Sequence, residues 1–204
     1  MEHIRTIVAA AGLALAFATV TGIGIGRADA DDGMASNGQL KGRYTGTSSG
    51  GCLASLAGFD ANDRPNDPTK TFSTMVTSES VYTFDGYGRG KAEFNSVSIY
   101  VPGPNGITQQ VLLTAGGGNF TYSVGPKNTV TVTLTDLVFK NLNGPAAGQD
   151  SMVNQFVLEG HFSPHGITLT QTDGAVEMAT PPTGAPVPRI CGRSSILLRD
   201  HPRF

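Results

Sequence analysis

The sequence predicts an all-β protein, an antiparallel up-and-down β-barrel of about eight strands, with a β-sandwich as the alternative. Residues 129–135 alternate strictly between threonine and an aliphatic residue, a period of two that suits a strand and cannot serve a helix. Asp85-Gly86 lies between β-branched and aromatic runs, which is a strong hairpin signal because glycine adopts positive φ freely. Beyond residue 30, no segment carries a convincing amphipathic helical repeat.

The first 30 residues have the composition of a targeting segment. Arg5 precedes an apolar, alanine-rich run over residues 6–26, and Ala28-Asp29-Ala30 fits a signal-peptidase site. An uncleaved membrane anchor is the alternative, because the apolar run is about long enough to span a bilayer. The small residues at the cleavage site favour removal. We therefore expect a periplasmic or secreted protein with no stable membrane insertion after cleavage.

These boundaries divide the chain into four predicted parts. They are a signal peptide at 1–30, a flexible leader at 31–39, a β-barrel domain at 40–199 and a tail at 200–204. The part that remains after cleavage has the length of one domain and is long enough to bury a core.

The predicted strands follow from alternation and are separated by glycine- and proline-rich connections. The first strand, residues 40–47, is expected to end at Ser48-Ser49-Gly50-Gly51, with a short helical turn at 53–57 and a loop at 58–71. After the Asp85-Gly86 hairpin, the apolar parity changes between Phe94 and Val97, which predicts a β-bulge near residues 95–96. Later strands are predicted near residues 111–113 (ended by three glycines at 116–118), 120–124, 129–135, 156–162, 167–170 and 190–198.

Cys52 and Cys191 are the only cysteines, and export would place them in an oxidising compartment. Their wide separation favours a structural disulfide over a catalytic pair. A meander of eight or nine strands leaves two exposed edges unless it closes. Because Cys52 follows the first strand and Cys191 precedes the last, a disulfide would hold the two ends of the sheet together.

Charge and motifs exclude several function classes. The formal net charge of −2 provides no electrostatic footprint for nucleic acid. The arginines at 189, 193, 199 and 203 are interpreted as a solvated edge. The sequence has no nucleophile elbow, P-loop, dinucleotide fingerprint or zincin motif, so we assign no catalytic residues and no cofactor.

Two polar groupings in the sequence do not fit a metal site. Glu159, His161 and His165 could bind zinc, but their parity is opposite to that of the neighbouring apolar residues, so they should face water. The acidic loop at 58–71 departs from the EF-hand pattern at Arg64. No metal is therefore predicted.

The hairpin segments at 82–86 and 120–124 resemble those of small exported bacterial β-barrel proteins. In general form the chain is similar to the calycins (lipocalins and avidins) and to the barrel of allene oxide cyclase. The lipocalin G-x-W motif is replaced by Gly42-Arg43-Tyr44. The resemblance implies an architecture and is used here for no functional residue.

The function expected from these observations is non-catalytic binding of a small apolar molecule inside or at the mouth of the barrel. The candidate ligand-binding residues lie on the apolar parity of predicted strands: Tyr82, Phe84, Phe120, Tyr122, Phe156 and Phe162. One alternative is a structural or surface-interaction protein with a packed interior. Another is a cyclase- or isomerase-like enzyme, which a buried charged pair in a cavity would favour. An outer-membrane barrel is disfavoured by the charged C-terminal residues.

Overall fold

The computed structural model describes residues 36–101, 109–171 and 174–200. Three short 3₁₀ turns lie at Asn37–Gln39, Pro68–Lys70 and Pro126–Asn128. The strands are β1 Lys41–Ser55, β2 Thr71–Asp85, β3 Arg89–Val101, β4 Gln110–Gly125, β5 Thr129–Asn141, β6 Asp150–Phe162, β7 Gly166–Gln171, β8 Val176–Thr180 and β9 Val187–Arg199.

The strands close into a ring. Each of β1 to β6 pairs antiparallel with the next, and β1 also pairs with β9 from Tyr44↔Arg199 to Ala54↔Arg189. The short strands β7 and β8 both pair with β6 and β9, so together they occupy one position. The ring thus has eight positions, and the predicted all-β, antiparallel, up-and-down fold is confirmed.

The seam between β1 and β9 carries the predicted disulfide. Cys52 lies directly opposite Cys191 in the strand register, and the two Sγ atoms are 2.07 Å apart. Both cysteines are buried. The bond therefore joins the first and last strands inside the ring, as the closure argument expected.

One half of the ring is filled by side chains. Apolar residues from the long strands and from β7 are almost fully buried there, and four of the largest are Tyr44, Phe84, Leu134 and Leu169. The Asp85-Gly86 hairpin closes this end with a tight connection, as predicted: the Asp85 carboxylate accepts hydrogen bonds from the backbone N–H groups of Tyr87 (2.6 Å) and Arg89 (3.1 Å). We call this the packed half.

The segment before β1 covers the packed half. Leu40 is fully buried, and the Tyr122 hydroxyl donates to the backbone carbonyls of Leu40 (2.7 Å) and Asn37 (3.0 Å). The Asn37 side chain accepts from the backbone N–H of Val124 at 3.0 Å. Residues 36–40 are thus bound to β4. The boundary of the predicted leader and the tail residues 201–204 stay untested, because residues 1–35 and 201–204 lie outside the described part.

The opposite half has longer connections and a different interior. The segments 56–70, 142–149 and 181–186 all join strands at that end, whereas the other end has the three-residue turns 86–88, 126–128 and 163–165. Long loops carried by a rigid scaffold are where binding residues concentrate. We call this the hollow half, because its interior contains a cavity.

The structure corrects the predicted course of two strands. β1 continues through Ser48-Gly51 to Ser55, so the strand end and the helical turn at 53–57 are wrong. β3 has no bulge at 95–96, because its register with β2 is continuous. The apolar residues Val97 and Ile99 face outward, and Ser96 and Ser98 face the cavity. The apolar residues of β3 change from the inner face to the outer face after Phe94, because the interior changes from apolar to polar at this level.

The strand around residues 111–125 also differs from its prediction. Gly116, Gly117 and Gly118 lie inside β4 and do not end it. A bulge occurs at this level on the neighbouring strand, where the β4–β5 register shifts between Gly117 and Asn119. Asp136 in β5 has a φ of 51° there, a conformation that aspartate tolerates better than most residues. The bulge re-aims β5 where the packed half meets the hollow half.

Candidate functional site

A cavity of about 420 Å³ occupies the hollow half of the ring and opens at its end. Its volume lies within the range of small-molecule sites, about 300–1,000 Å³. Residues from β1 to β6, from β8 and from β9 line it, so the closed ring itself forms the walls.

The floor of the cavity is aromatic and aliphatic. Tyr82, Phe94, Phe156 and Leu158 lie where the packed half ends. The Tyr82 and Phe94 rings meet edge to face with centroids 5.7 Å apart, a favoured aromatic geometry. Burial raises the pKa of Tyr82 well above its ordinary value, and Arg193 opposes that shift weakly. The Tyr82 phenol is therefore neutral and serves as a hydrogen-bonding group.

Hydroxyl groups line much of the wall. Ser48 hydrogen-bonds to Ser80 and Ser195, with both Oγ–Oγ distances at 2.7 Å. Ser98 on β3 and Thr114 on β4 add hydroxyls on the far side. On β3 the alternation of the strand puts Ser98 inside and the larger Val97 and Ile99 outside. The cavity is therefore amphipathic, with apolar residues at its floor and hydroxyl groups along its wall.

Three charged side chains meet beside the disulfide. Glu177 on β8 is only 2% exposed, and its Oε1 lies 2.5 Å from Arg189 Nε and 2.5 Å from an Arg193 Nη. Its Oε2 accepts from Arg193 at 2.8 Å, and Arg193 also donates to the Gln171 side chain. Both carboxylate oxygens of Glu177 are thus engaged. We call Glu177, Arg189 and Arg193 the charged cluster.

The arginines are held in place by further contacts. Arg193 lies over the Phe156 ring, with its guanidinium carbon 4.2 Å from the ring centroid, a cation–π arrangement. Burial lowers the pKa of Arg189, and the Glu177 carboxylate opposes that shift. Both arginines line the cavity.

The charged cluster corrects the sequence analysis, which assigned Arg189 and Arg193 to a solvated edge and gave Glu177 no role. The available signal was parity. Arg189 and Arg193 each lie two residues from Cys191, so a disulfide-bonded Cys191 facing inward predicts that both arginines also face inward. Glu177 had no such marker, because β8 is only five residues long.

Two buried polar atoms in the cavity wall have no partner among the described residues. They are the hydroxyl oxygen of Thr74 on β2 and the side-chain oxygen of Asn141 on β5. Thr74 is 7% exposed and Asn141 is 2% exposed. Buried polar groups are nearly always hydrogen-bonded, so these two atoms are exceptions in the cavity wall.

No metal set emerges from the described residues. Cys52, Cys191 and Glu177 place potential ligand atoms within 4.8 Å of one another, but the two sulfurs form the disulfide and cannot act as thiolate ligands. Glu159, His161 and His165 are exposed, as the sequence parity indicated.

The structure separates the six predicted ligand-binding residues into two groups. Tyr82 and Phe156 line the cavity. Phe84, Phe120 and Tyr122 belong to the packed half, where Phe84 lies 5.0 Å from each of the other two rings, and Phe162 is partly buried against the same core. Only Tyr82 and Phe156 are therefore positioned to touch a molecule in the cavity.

No protein-family model, curated protein or solved structure matches this chain. Within the described ranges, none of the helical segments is long and apolar enough to cross a membrane. The interpretation of the site therefore depends on its own geometry.

Proposed function

We propose that this protein binds a small, largely apolar molecule in the cavity of the hollow half without transforming it. The single observation that carries the proposal is a cavity of about 420 Å³, open at one end, in a ring whose other half is fully packed. An eight-stranded barrel is just wide enough to be filled by side chains or to hold one small ligand. This chain combines both arrangements, which gives the site a rigid base.

The cavity residues support binding over a purely structural role. A structural protein gains nothing from an unfilled interior, because voids remove packing contacts and cost stability. The disulfide at the seam is consistent with an exported protein working in an oxidising compartment. The ring of eight strand positions also agrees with a calycin-like architecture.

A titration with Nile red, a neutral apolar fluorophore, tests the proposal. We expect saturable binding with a blue-shifted emission. Ser98→Trp, which would fill the cavity from β3, should abolish binding. The matched control is Val97→Trp on the same strand, because Val97 is 43% exposed on the outer surface. If both variants bind Nile red as the natural protein does, the cavity is not the site.

A search for the natural ligand complements the titration. Native mass spectrometry of the protein purified from its own host should find a bound mass that is absent from Ser98→Trp. The absence of a bound mass together with no saturable Nile red binding would overturn the proposed function.

A cyclase- or isomerase-like enzyme is the second candidate, favoured by the charged cluster within the cavity wall. Such reactions need a group that accepts or donates a proton near the substrate. Both Glu177 oxygens already accept hydrogen bonds from arginine, so this carboxylate is a poor general base as arranged. Binding is therefore the function that the geometry supports better.

A further inference from the structure

We propose that the ligand carries a carboxylate or similar small anionic group, and that Arg189 binds it. The inference deepens the proposed function and rests on it. It identifies the bound molecule as an amphiphile, with an acidic head at the β9 wall and an apolar body across the cavity.

The charged groups at the cavity have an excess of positive charge. Among the described residues that ionise in or beside the cavity, Arg189 and Arg193 supply two positive charges and Glu177 supplies one negative charge. One positive charge is therefore left without a counterion in a partly desolvated site. A buried charge is costly unless it is paired, so an anionic ligand would supply what the protein lacks.

The two arginines differ in how many of their terminal nitrogens already have a hydrogen-bond acceptor. Arg193 uses both terminal nitrogens, donating to Glu177 and Gln171. Arg189 donates to Glu177 only through Nε. Within the described part of the chain, neither terminal nitrogen of Arg189 has an acceptor. A guanidinium with two free terminal donors is suited to bidentate recognition of a carboxylate.

The neighbours of Arg189 on β1, β2 and β3 are uncharged. Ala54 lies opposite Arg189, and the adjoining strand β2 places Phe72 and Thr74 beside this part of β1. Tyr100 lies opposite Thr74 and interacts electrostatically with Arg189. Thr74 and Phe72 also line the cavity next to Arg189. None of these neighbours carries a negative charge.

The apolar body of the ligand has a matching wall. In a ring of eight positions, β9 is opposite β4, with β3 and β5 on either side of β4. These strands contribute Phe94, Leu112 and Phe139 to the cavity lining. A molecule spanning the cavity would thus place its head at Arg189 and its body against these three side chains.

Competition of decanoate and decanol against Nile red tests the inference. The two compounds share a chain and differ in the head group. With the natural protein at neutral pH, we expect decanoate to displace the dye at a concentration at least tenfold lower than decanol. Arg189→Gln should remove that advantage, while Arg189→Lys should keep part of it. The matched control is Arg199→Gln, on the same strand but exposed at the packed end, and it should leave the advantage unchanged.

The possible results separate this inference from the proposed function. If decanol and Nile red bind but decanoate is no better, the acidic-ligand inference is wrong and the proposed function stands. If none of the three binds, both fail. If Arg189→Gln keeps the full preference for decanoate, Arg189 is not the anion-binding residue and the inference is overturned. Circular dichroism and thermal melting of each variant confirm that it is folded before it is scored, and Arg189→Lys provides the test if Arg189→Gln does not fold.

Discussion

Glu177 determines whether the two cavity arginines can be buried together. It is the one carboxylate within the charged cluster, and it contacts both guanidinium groups. Removing one partner of a buried ion pair leaves uncompensated charge and typically costs about 3–5 kcal/mol. We expect Glu177→Gln to lower the free energy of unfolding by that amount in urea denaturation. Glu159→Gln is the matched control, since Glu159 is exposed on β6, and it should change the stability by less than about 0.5 kcal/mol. Equal stability of the two variants would contradict this account of the cluster.

At the residue scale, part of the site could be predicted from the sequence. Strand parity correctly placed Tyr82 and Phe156 inside the ring. Parity alone could not separate them from Phe84, because the position at which packing gives way to a cavity depends on all the strands at once. The arginines were misassigned since charged residues are rarely buried, and the partner that allows it, Glu177, lies on another strand.

At the element scale, glycines inside strands allow neighbouring backbones to approach closely. A Cβ built on Gly160 of β6 would lie 1.8 Å from the Thr168 carbonyl oxygen of β7, whereas one on Gly192 of β9 would meet nothing within 4 Å. We expect Gly160→Ala to destabilise the protein by about 1–3 kcal/mol or more, because the strands must separate. Gly192→Ala should be neutral or slightly stabilising, through reduced freedom of the unfolded chain. Thermal melting of the two variants makes the comparison. If the two melting temperatures agree, the close approach of the strands at Gly160 does not contribute to stability.

β3 shows that the existence of a strand was predicted better than the face it turns inward. Its existence and the Asp85-Gly86 hairpin before it followed from local composition and turn chemistry. Its inner face did not, because the usual assumption that apolar residues point inward fails where the interior is a hydroxyl-lined cavity. Val97 and Ile99 are exposed because Ser96 and Ser98 face the cavity in their place.

At the scale of the whole molecule, closure was predictable from two facts, a long antiparallel meander and two cysteines near its ends. The split position formed by β7 and β8 was not, because β8 is short and the interruption depends on pairing with β6 and β9. The ring is thus a consequence of long-range pairing that no local pattern contains.

The disulfide should stabilise the ring chiefly by restricting the unfolded chain. Cys52 and Cys191 are 139 residues apart, and the chain-entropy model gives about 4–5 kcal/mol for a loop of that length. Replacing both cysteines with alanine should lower the free energy of unfolding by up to this amount. The far-UV circular dichroism should be unchanged, because β1 and β9 remain paired along the seam. Thiol alkylation before and after reduction, read by mass spectrometry, checks that the natural protein is oxidised. Free thiols in the natural protein would contradict the prediction.

Buried tyrosines make the stability of the whole ring sensitive to alkaline pH. Burial raises the pKa values of Tyr82, Tyr44 and Tyr122 above their ordinary value of 10.0. A group whose pKa is raised in the folded state is protonated there while the unfolded chain already loses its proton. For Tyr82 the stabilisation is complete below about pH 10 and is lost as the pH rises above that value, by about 1.4 kcal/mol per pH unit. Tyr44 and Tyr122 change the stability in the same direction. Urea denaturation at pH 9, 10 and 11 should show this decline. Tyr82→Phe should make the decline shallower by about 1.4 kcal/mol per pH unit, the contribution of one proton. Tyr87→Phe, at a position that is 84% exposed, should leave the decline unchanged. A decline equally steep in Tyr82→Phe would mean that the Tyr82 phenol ionises in the folded protein as readily as in the unfolded chain.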